Sequence, residues 1–254
     1  MALDDTLARF AEEFDPETIF RIYGWLTPTL SLGYHQRSGE RVNFENCLRL
    51  GVDLARRPTG GRELLHNGDL SFSIVTQSGF EKSEMIGRSR EFFFKVGQVI
   101  TSGLGAFGIK TLIESGSIRH RKVSGAPCLI ATSRYEIKAD GKKLVPMAQR
   151  LYPGSMLVHG SIPLEKSQIT TASLLNTDSP DSLQGQIDES STDLYQLSKR
   201  KIDIIALRRE LELRFEEVFE GSIKYRSIPE TVLTKALASK LKWEINKNSN
   251  KTND

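Results

Sequence analysis

Arginine, glycine and histidine are crowded together in Arg56-Arg57-Pro58-Thr59-Gly60-Gly61-Arg62-Glu63-Leu64-Leu65-His66. Two adjacent residues without a β-carbon let main-chain N–H groups approach a ligand closely, and Arg57 brings a charge that deprotonation never removes. These residue types suit an acyl or phosphate pocket. A Gly-Gly pair ahead of a strand is, however, most often only a turn. A second reactive stretch runs Cys128-Leu129-Ile130-Ala131-Thr132-Ser133-Arg134-Tyr135-Glu136-Ile137, with Gly141-Lys142-Lys143 shortly after it. Ala139-Asp140-Gly141 supplies a hairpin turn, so Lys142 and Lys143 begin a return strand. Cys128 lies too far back to be a direct cross-strand partner of Lys143, and only tertiary folding can bring them together. If they meet, a lysine ammonium stabilises the thiolate, or a neutral lysine acts as its base. The plainer alternatives are a small buried hydrophobe for Cys128 and a solvated hairpin charge for Lys143. Cys47, flanked by Asn46 and Leu48, is assigned to packing.

The elements that must position these groups follow from periodicity. Leu3, Leu7, Phe10 and Ala11, with polar and acidic residues between them, predict a short amphipathic helix over residues 3–14. A strand at 19–23 precedes an aromatic, turn-rich stretch from Trp25 to Gly33. Alternation over 70–75 predicts a strand with one buried face and one face toward a cleft or solvent. Phe92, Val96, Val99, Ile100 and Leu104 predict a long helix after Ser83, and strands follow at about 129–138 and 155–163. Residues 176–192, rich in Ser, Asp, Gln and Gly with Pro180, read as a loop or linker. Ile204, Leu207, Leu211, Phe215 and Val218 recur at helical steps, with Gly221 placed to end the helix. Helices and strands mix without the regular alternation of a doubly wound sheet, which predicts an α/β protein of the α+β type. The expected division is a main domain over 1–175, a polar linker over 176–195, a small helical C-terminal extension over 196–245, and a disordered tail over 246–254.

The chain has 254 residues, enough for a sizeable core, and Lys+Arg 35 against Asp+Glu 32 leaves a net charge of only +3. The densest basic cluster, Arg119-His120-Arg121-Lys122, has no interleaved aromatic residue, so a solvated loop is favoured over nucleic-acid binding. Two cysteines without Cys-x-x-Cys spacing argue against a zinc ribbon and a disulfide scaffold. No apolar run reaches membrane-spanning length and no signal pattern opens the chain, so a cytoplasmic protein with no membrane partner is expected.

Taken in order, the Arg56–His66 stretch, the Cys128 stretch, Gly141-Lys142-Lys143, Ala148-Gln149 and His159-Gly160-Ser161-Ile162 resemble the lipoate/octanoate transferase family. Within the biotin/lipoate protein ligase superfamily they resemble the cysteine-dependent octanoyltransferase branch. Met1-Ala2-Leu3-Asp4-Asp5 and Leu30-Ser31-Leu32-Gly33 add to the likeness, which runs from residue 1 to about 165. The resemblance implies a mixed central sheet flanked by helices. It implies that Cys128 takes octanoate as a thioester from acyl carrier protein and passes it to a lysine of a lipoyl-domain protein, with Lys143 as the second catalytic residue. Arg57, Thr59, Gly60, Gly61, His66, Ala148, His159 and Gly160 fall on the family's substrate-binding positions. That route needs no cofactor and no metal. An ATP- and Mg-dependent lipoate ligase is the alternative, but such ligases usually have a third glycine where this chain has Arg62 and do not require the cysteine. The chain departs from the family at Pro146 and Met147, where Gly and Ser are usual. This opens a further alternative, a non-catalytic acyl or lipoyl-domain binding module.

Overall fold

The computed structural model describes residues 1–13, 18–78, 85–115, 127–130 and 135–245. Ten strands run β1 (Thr18–Tyr23), β2 (Thr29–Leu32), β3 (Asp53–Arg56), β4 (Leu64–His66), β5 (Asp69–Gln77), β6 (Leu112–Ser115), β7 (Tyr135–Ala139), β8 (Lys142–Val145), β9 (Met147–Tyr152) and β10 (Ser155–Pro163) among the described residues. The α-helices are α1 (Ala2–Arg9), α2 (Ser38–Arg41), α3 (Phe44–Arg49), α4 (Met85–Gly105), α5 (Pro180–Ser190), α6 (Leu194–Ser198), α7 (Ile204–Phe219), α8 (Glu230–Ala238) and α9 (Lys240–Trp243).

The largest sheet is antiparallel, in the order β1-β5-β10-β9. In a smaller sheet β2 runs parallel to β3 and antiparallel to β4. A third sheet, β6-β7-β8, carries the predicted hairpin. Its turn residues Asp140 and Gly141 both take positive φ, 50° and 77°, the geometry that matches the right-handed twist of the flanking strands.

Phe72 and Ile74 of β5 and Val158 and Ile162 of β10 pack with Val96, Val99, Ile100 and Leu104 of α4 and Leu207, Leu211 and Phe215 of α7 in one continuous core. The C-terminal helices therefore share the core of the sheet. The alternate face of β5 is covered as well. Ser71 and Ser73 are buried, Ser73 donating to Asp4 Oδ1 at 2.8 Å and Ser71 lining a cavity.

Several expectations need correction. The acidic residues of α1 face inward. Asp4 is buried and receives Tyr23 Oη at 3.0 Å and a contact from Arg21 Nη1, while Asp5 accepts from Tyr152 Oη at 2.8 Å and pairs with Arg9 at 2.7 Å. Arg9 is the i+4 neighbour of Asp5 on the same helix, but Arg21, Tyr23 and Tyr152 come from distant strands, which helical periodicity cannot see. Of the strand expected at 129–138, residues 135–138 fall in β7, whereas residues 128–130 form a turn, with the Ile130 N–H on the Pro127 carbonyl at 3.1 Å; residues 131–134 lie outside the described residues. Within the segment read as a loop, α5 is a helix with Pro180 in its first turn, a residue preset for that position. Helix α7 ends with Glu220 rather than Gly221 in the left-handed conformation, at φ 53°. The basic cluster at 119–122 and the tail at 246–254 lie outside the described residues. No described helix is long and apolar enough to cross a membrane.

The α5–α6 connection lies against the hairpin. Ser191 forms an isolated parallel bridge with Lys143, the Thr192 N–H donates to the Lys143 carbonyl at 3.0 Å, and Lys142 Nζ donates to the Asp188 carbonyl at 2.9 Å.

Candidate functional site

A cavity of about 190 Å³ opens where the three sheets meet, lined by Arg57, Gly60, Gly61 and His66 from around β4, Cys128 and Lys143 from the hairpin region, and Ala148, His159 and Gly160 from β9 and β10. Residues far apart in the chain, singled out from their types and order, thus share one space. Thr59 does not line it; its Oγ1 sits 2.6 Å from His159 Nε2 and supports that ring. Leu64, Val145, Pro146 and Met147 give the cavity apolar wall, and Met1, Tyr23 and Ser71 also reach it.

Cys128 is held by its main chain. Its N–H donates to the Glu63 carbonyl at 3.1 Å, and its own carbonyl accepts from Lys143 Nζ at 2.8 Å. Lys143 is buried, contrary to a solvated hairpin charge, and pairs with Glu136 Oε1 at 2.8 Å. Glu136 was missed in the sequence. Strand alternation was its available signal, since Glu136 and Lys138 share a face and the register places Lys143 opposite Lys138.

Arg57 supplies a second cation. Its Nη1 donates to Ser31 O and Ser31 Oγ, both at 2.8 Å, and its Nη2 donates to Arg62 O at 2.7 Å. Burial pulls its pKa below the usual arginine value, while the charges of Cys128 and Glu63 act in the opposite direction. The guanidinium stays cationic.

Glycine is required at specific points of this loop. Gly61 has φ 104°, and a β-carbon on Gly33 would lie 2.0 Å from the Gly61 carbonyl oxygen. A β-carbon on Gly160 would meet Phe72 Cζ at 2.6 Å and Pro146 O at 2.8 Å. Gly60 has open space around it.

Two histidines sit at the deep end. His66 Nδ1 is 2.9 Å from Asp69 Oδ2, its Nε2 is 2.8 Å from Ser31 Oγ, and Trp25 stacks on the ring with centroids 4.3 Å apart. Asp69, Ser31 and Arg57 therefore belong to one hydrogen-bonded chain through His66. Burial raises the Asp69 pKa, but hydrogen bonds from His66, Ser161 and Ser71 outweigh it and hold the carboxyl below its ordinary value. Burial pushes His159 down to about 3, with Arg57 adding to the effect and Asp4 opposing it. His159 is thus a neutral, hydrogen-bonding wall at physiological pH.

The arrangement offers a cavity-facing thiol beside a fixed cation, with apolar surface for an alkyl chain. Such a site suits transient acylation of sulfur.

The lipoyl protein ligase A/B catalytic domain family matches residues 1–216. The octanoyltransferase LipM of Kyrpidia tusciae is 30% identical over 261 residues, covering 97% of this chain and 94% of that protein. The octanoyltransferase LipM of Carboxydothermus hydrogenoformans is 30% identical over 225 residues, 87% of this chain and 81% of that one. In three dimensions the chain is similar to the bipartite lipoate protein ligase of Thermoplasma acidophilum, with a TM-score of 0.74 over 94% of this chain and 85% of that one; at 19% identity this is a likeness of fold. The chain therefore belongs to the lipoyl protein ligase A/B catalytic domain family, alongside the octanoyltransferases, and has the α+β fold of that family with C-terminal helices.

Proposed function

We propose that this protein is an octanoyltransferase that works through a thioester on Cys128. The observation that carries the reading is the placement of Cys128 in one cavity with the buried Arg57 guanidinium and the apolar Leu64, Val145 and Met147. The Cys128 thiolate attacks the carbonyl carbon of an octanoyl thioester, the donor sulfur leaves, and octanoyl-Cys128 forms. A lysine amine of a lipoyl domain then attacks that carbonyl, an amide forms and the Cys128 thiolate is regenerated. The proton lost by the amine is matched by the one gained by the released donor thiol, so no further reactant is consumed. Arg57, Thr59, Gly60, Gly61, His66, Ala148, His159 and Gly160 shape and line the acyl site, and each methylene buried there contributes about 0.8 kcal/mol. Lys143 fixes the turn that presents the thiol and adds positive charge beside the reacting carbonyl. Pro146 and Met147 narrow the wall while leaving the cavity open. The donor is acyl carrier protein, the acceptor a lipoyl-domain protein, and the reaction runs in the cytoplasm.

The test is the intact mass of wild type and Cys128→Ala after incubation with octanoyl acyl carrier protein. The expected result is one octanoyl group on wild type only, which then moves to an added lipoyl domain. Modification of the lipoyl domain only when ATP and free acid are supplied would replace this reading with a ligase. Tight binding of the lipoyl domain with no acylation under any condition would replace it with a binding module.

A further inference from the structure

A second cleft lies on the other side of the Thr59–Arg62 loop. It has a volume of about 390 Å³ and is lined by Tyr34, His35, Arg37, Arg56, Lys242 and Trp243, together with Gln36. Three permanent cations meet there, and no carboxylate lines it among the described residues, in a chain whose net charge is only +3. Such local enrichment attracts an anion.

The cleft is built, and two of its cations remain at its mouth. Arg56 Nη1 donates to Gly33 O at 3.4 Å, to Tyr34 O at 3.2 Å and to Gln36 O, so its charge is anchored beneath the 33–36 turn. Lys242 Nζ lies 4.7 Å from the Trp243 ring centroid. Arg37 stands at the rim, 73% exposed, with Glu40 at 3.3 Å. Trp243 is 2% exposed, and its indole N–H has no hydrogen-bond partner among the described residues.

Position connects the cleft to the reaction. The Tyr34 N–H donates to the Thr59 carbonyl at 2.9 Å, and Gly33 lies directly against Gly61. Gly60, Gly61 and Arg62 line the Cys128 cavity on the opposite side of this loop. A thioester that must reach a recessed thiol arrives on a long flexible arm, and in pantetheine thioesters the charge nearest the arm is a phosphate at its far end. We propose that this cleft binds the phosphate of a phosphopantetheine thioester, carried either as the prosthetic arm of a carrier protein or within coenzyme A. The inference rests on the transferase reading.

The experiment compares S-octanoyl-pantetheine, S-octanoyl-4′-phosphopantetheine, octanoyl-coenzyme A and octanoyl acyl carrier protein as donors, following Cys128 acylation by intact mass. Wild type is set against an Arg37→Ala/Lys242→Ala double variant, both residues being exposed and outside the reactive cavity. The expected result is that the phosphate raises kcat/KM about tenfold in wild type, equivalent to about 1.4 kcal/mol. The double variant should bring this advantage to within about twofold of unity while leaving octanoyl-pantetheine unchanged. Faster acylation by the carrier protein than by coenzyme A would identify the protein-borne arm, and the reverse order the free nucleotide form. Equal rates with and without phosphate in wild type would overturn the proposal. So would a loss confined to the carrier protein, which would assign the two cations to a protein surface instead. Unreactive S-octyl thioether analogues with and without the phosphate, titrated calorimetrically, give a readout that needs no chemistry. If no thioester acylates Cys128 but the phosphate still tightens binding in wild type alone, the transferase reading fails and the cleft stands; if it does not, both fail.

Discussion

Lys143 Nζ donates to the main-chain carbonyl of Cys128 at 2.8 Å while pairing with Glu136 at the same distance. The lysine therefore grips Cys128 by its backbone, and the buried carboxylate beside it is the counterpart that makes a buried ammonium tolerable. Removing Lys143 takes the 2.8 Å ammonium from Glu136, whose other oxygen lies 3.9 Å from Lys138 Nζ, and losing one member of a buried pair is costly.

Lys143→Ala is accordingly expected to lower unfolding free energy by about 3 kcal/mol, as well as slowing Cys128 acylation by at least about a hundredfold. Glu136→Gln/Lys143→Met, which removes both charges, should recover most of the stability and none of the activity. Urea denaturation and single-turnover acylation separate the two effects, and equal stability of wild type and Lys143→Ala would remove the ion pair from the argument.

The glycine loop makes a sharper comparison. Gly33→Ala places a methyl group against the Gly61 carbonyl, where main chain must move, and should destabilise by about 2 kcal/mol and distort the Cys128 cavity. Gly60→Ala has room for its β-carbon and should leave stability within about 0.5 kcal/mol. Thermal melts of the two variants test the pair, and similar melting temperatures would contradict the close approach.

Arg57→Lys keeps the charge but loses the fork that joins Ser31 to Arg62. The expected outcome is a fall in acylation rate of at least about tenfold, with a larger KM for the octanoyl donor because the Gly60–Gly61 wall loosens. Wild-type kinetics in this variant would reduce Arg57 to a point charge.

His159 gives a pH signature. Its pKa falls from an ordinary 6.5 to about 3 on folding, so between these values the unfolded chain binds a proton that the native protein does not. Stability from this group is complete above about pH 6.5 and is lost as pH falls toward 3, with a limiting slope of about 1.4 kcal/mol per pH unit. His159→Gln should flatten that part of the profile. Stability measured from pH 7 to pH 4 checks it, and an unchanged slope would show that other groups dominate.

Alternation made β5, β10 and the β7–β8 hairpin legible, because a strand's period and turn chemistry are local. The helical repeat did the same for α4 and α7. The burial of Lys143 was not legible, since it depends on Glu136 and on chain 48 residues downstream at Ser191. Helix α5 was obscured by composition: only Ile187 is buried along it, and a largely polar helix looks like a linker. Pro180 was a start signal read as a breaker. Asp4 and Asp5 mislead in the opposite sense, as carboxylates that seem made for water and are satisfied by Ser73, Tyr23, Arg21, Arg9 and Tyr152. The order of reactive residues was readable; the Asp69–His66–Ser31–Arg57 chain, which crosses between sheets, was not.

The bridge between Ser191 and Lys143 closes an otherwise open sheet edge. The segment just beyond α5 is thus a splint on the strand that carries Lys143. A proteolytic nick there would cut the covalent link between the four-stranded sheet and α7, whose Leu207, Leu211 and Phe215 fill its core, and would free a main-chain partner of Lys143 at the same stroke.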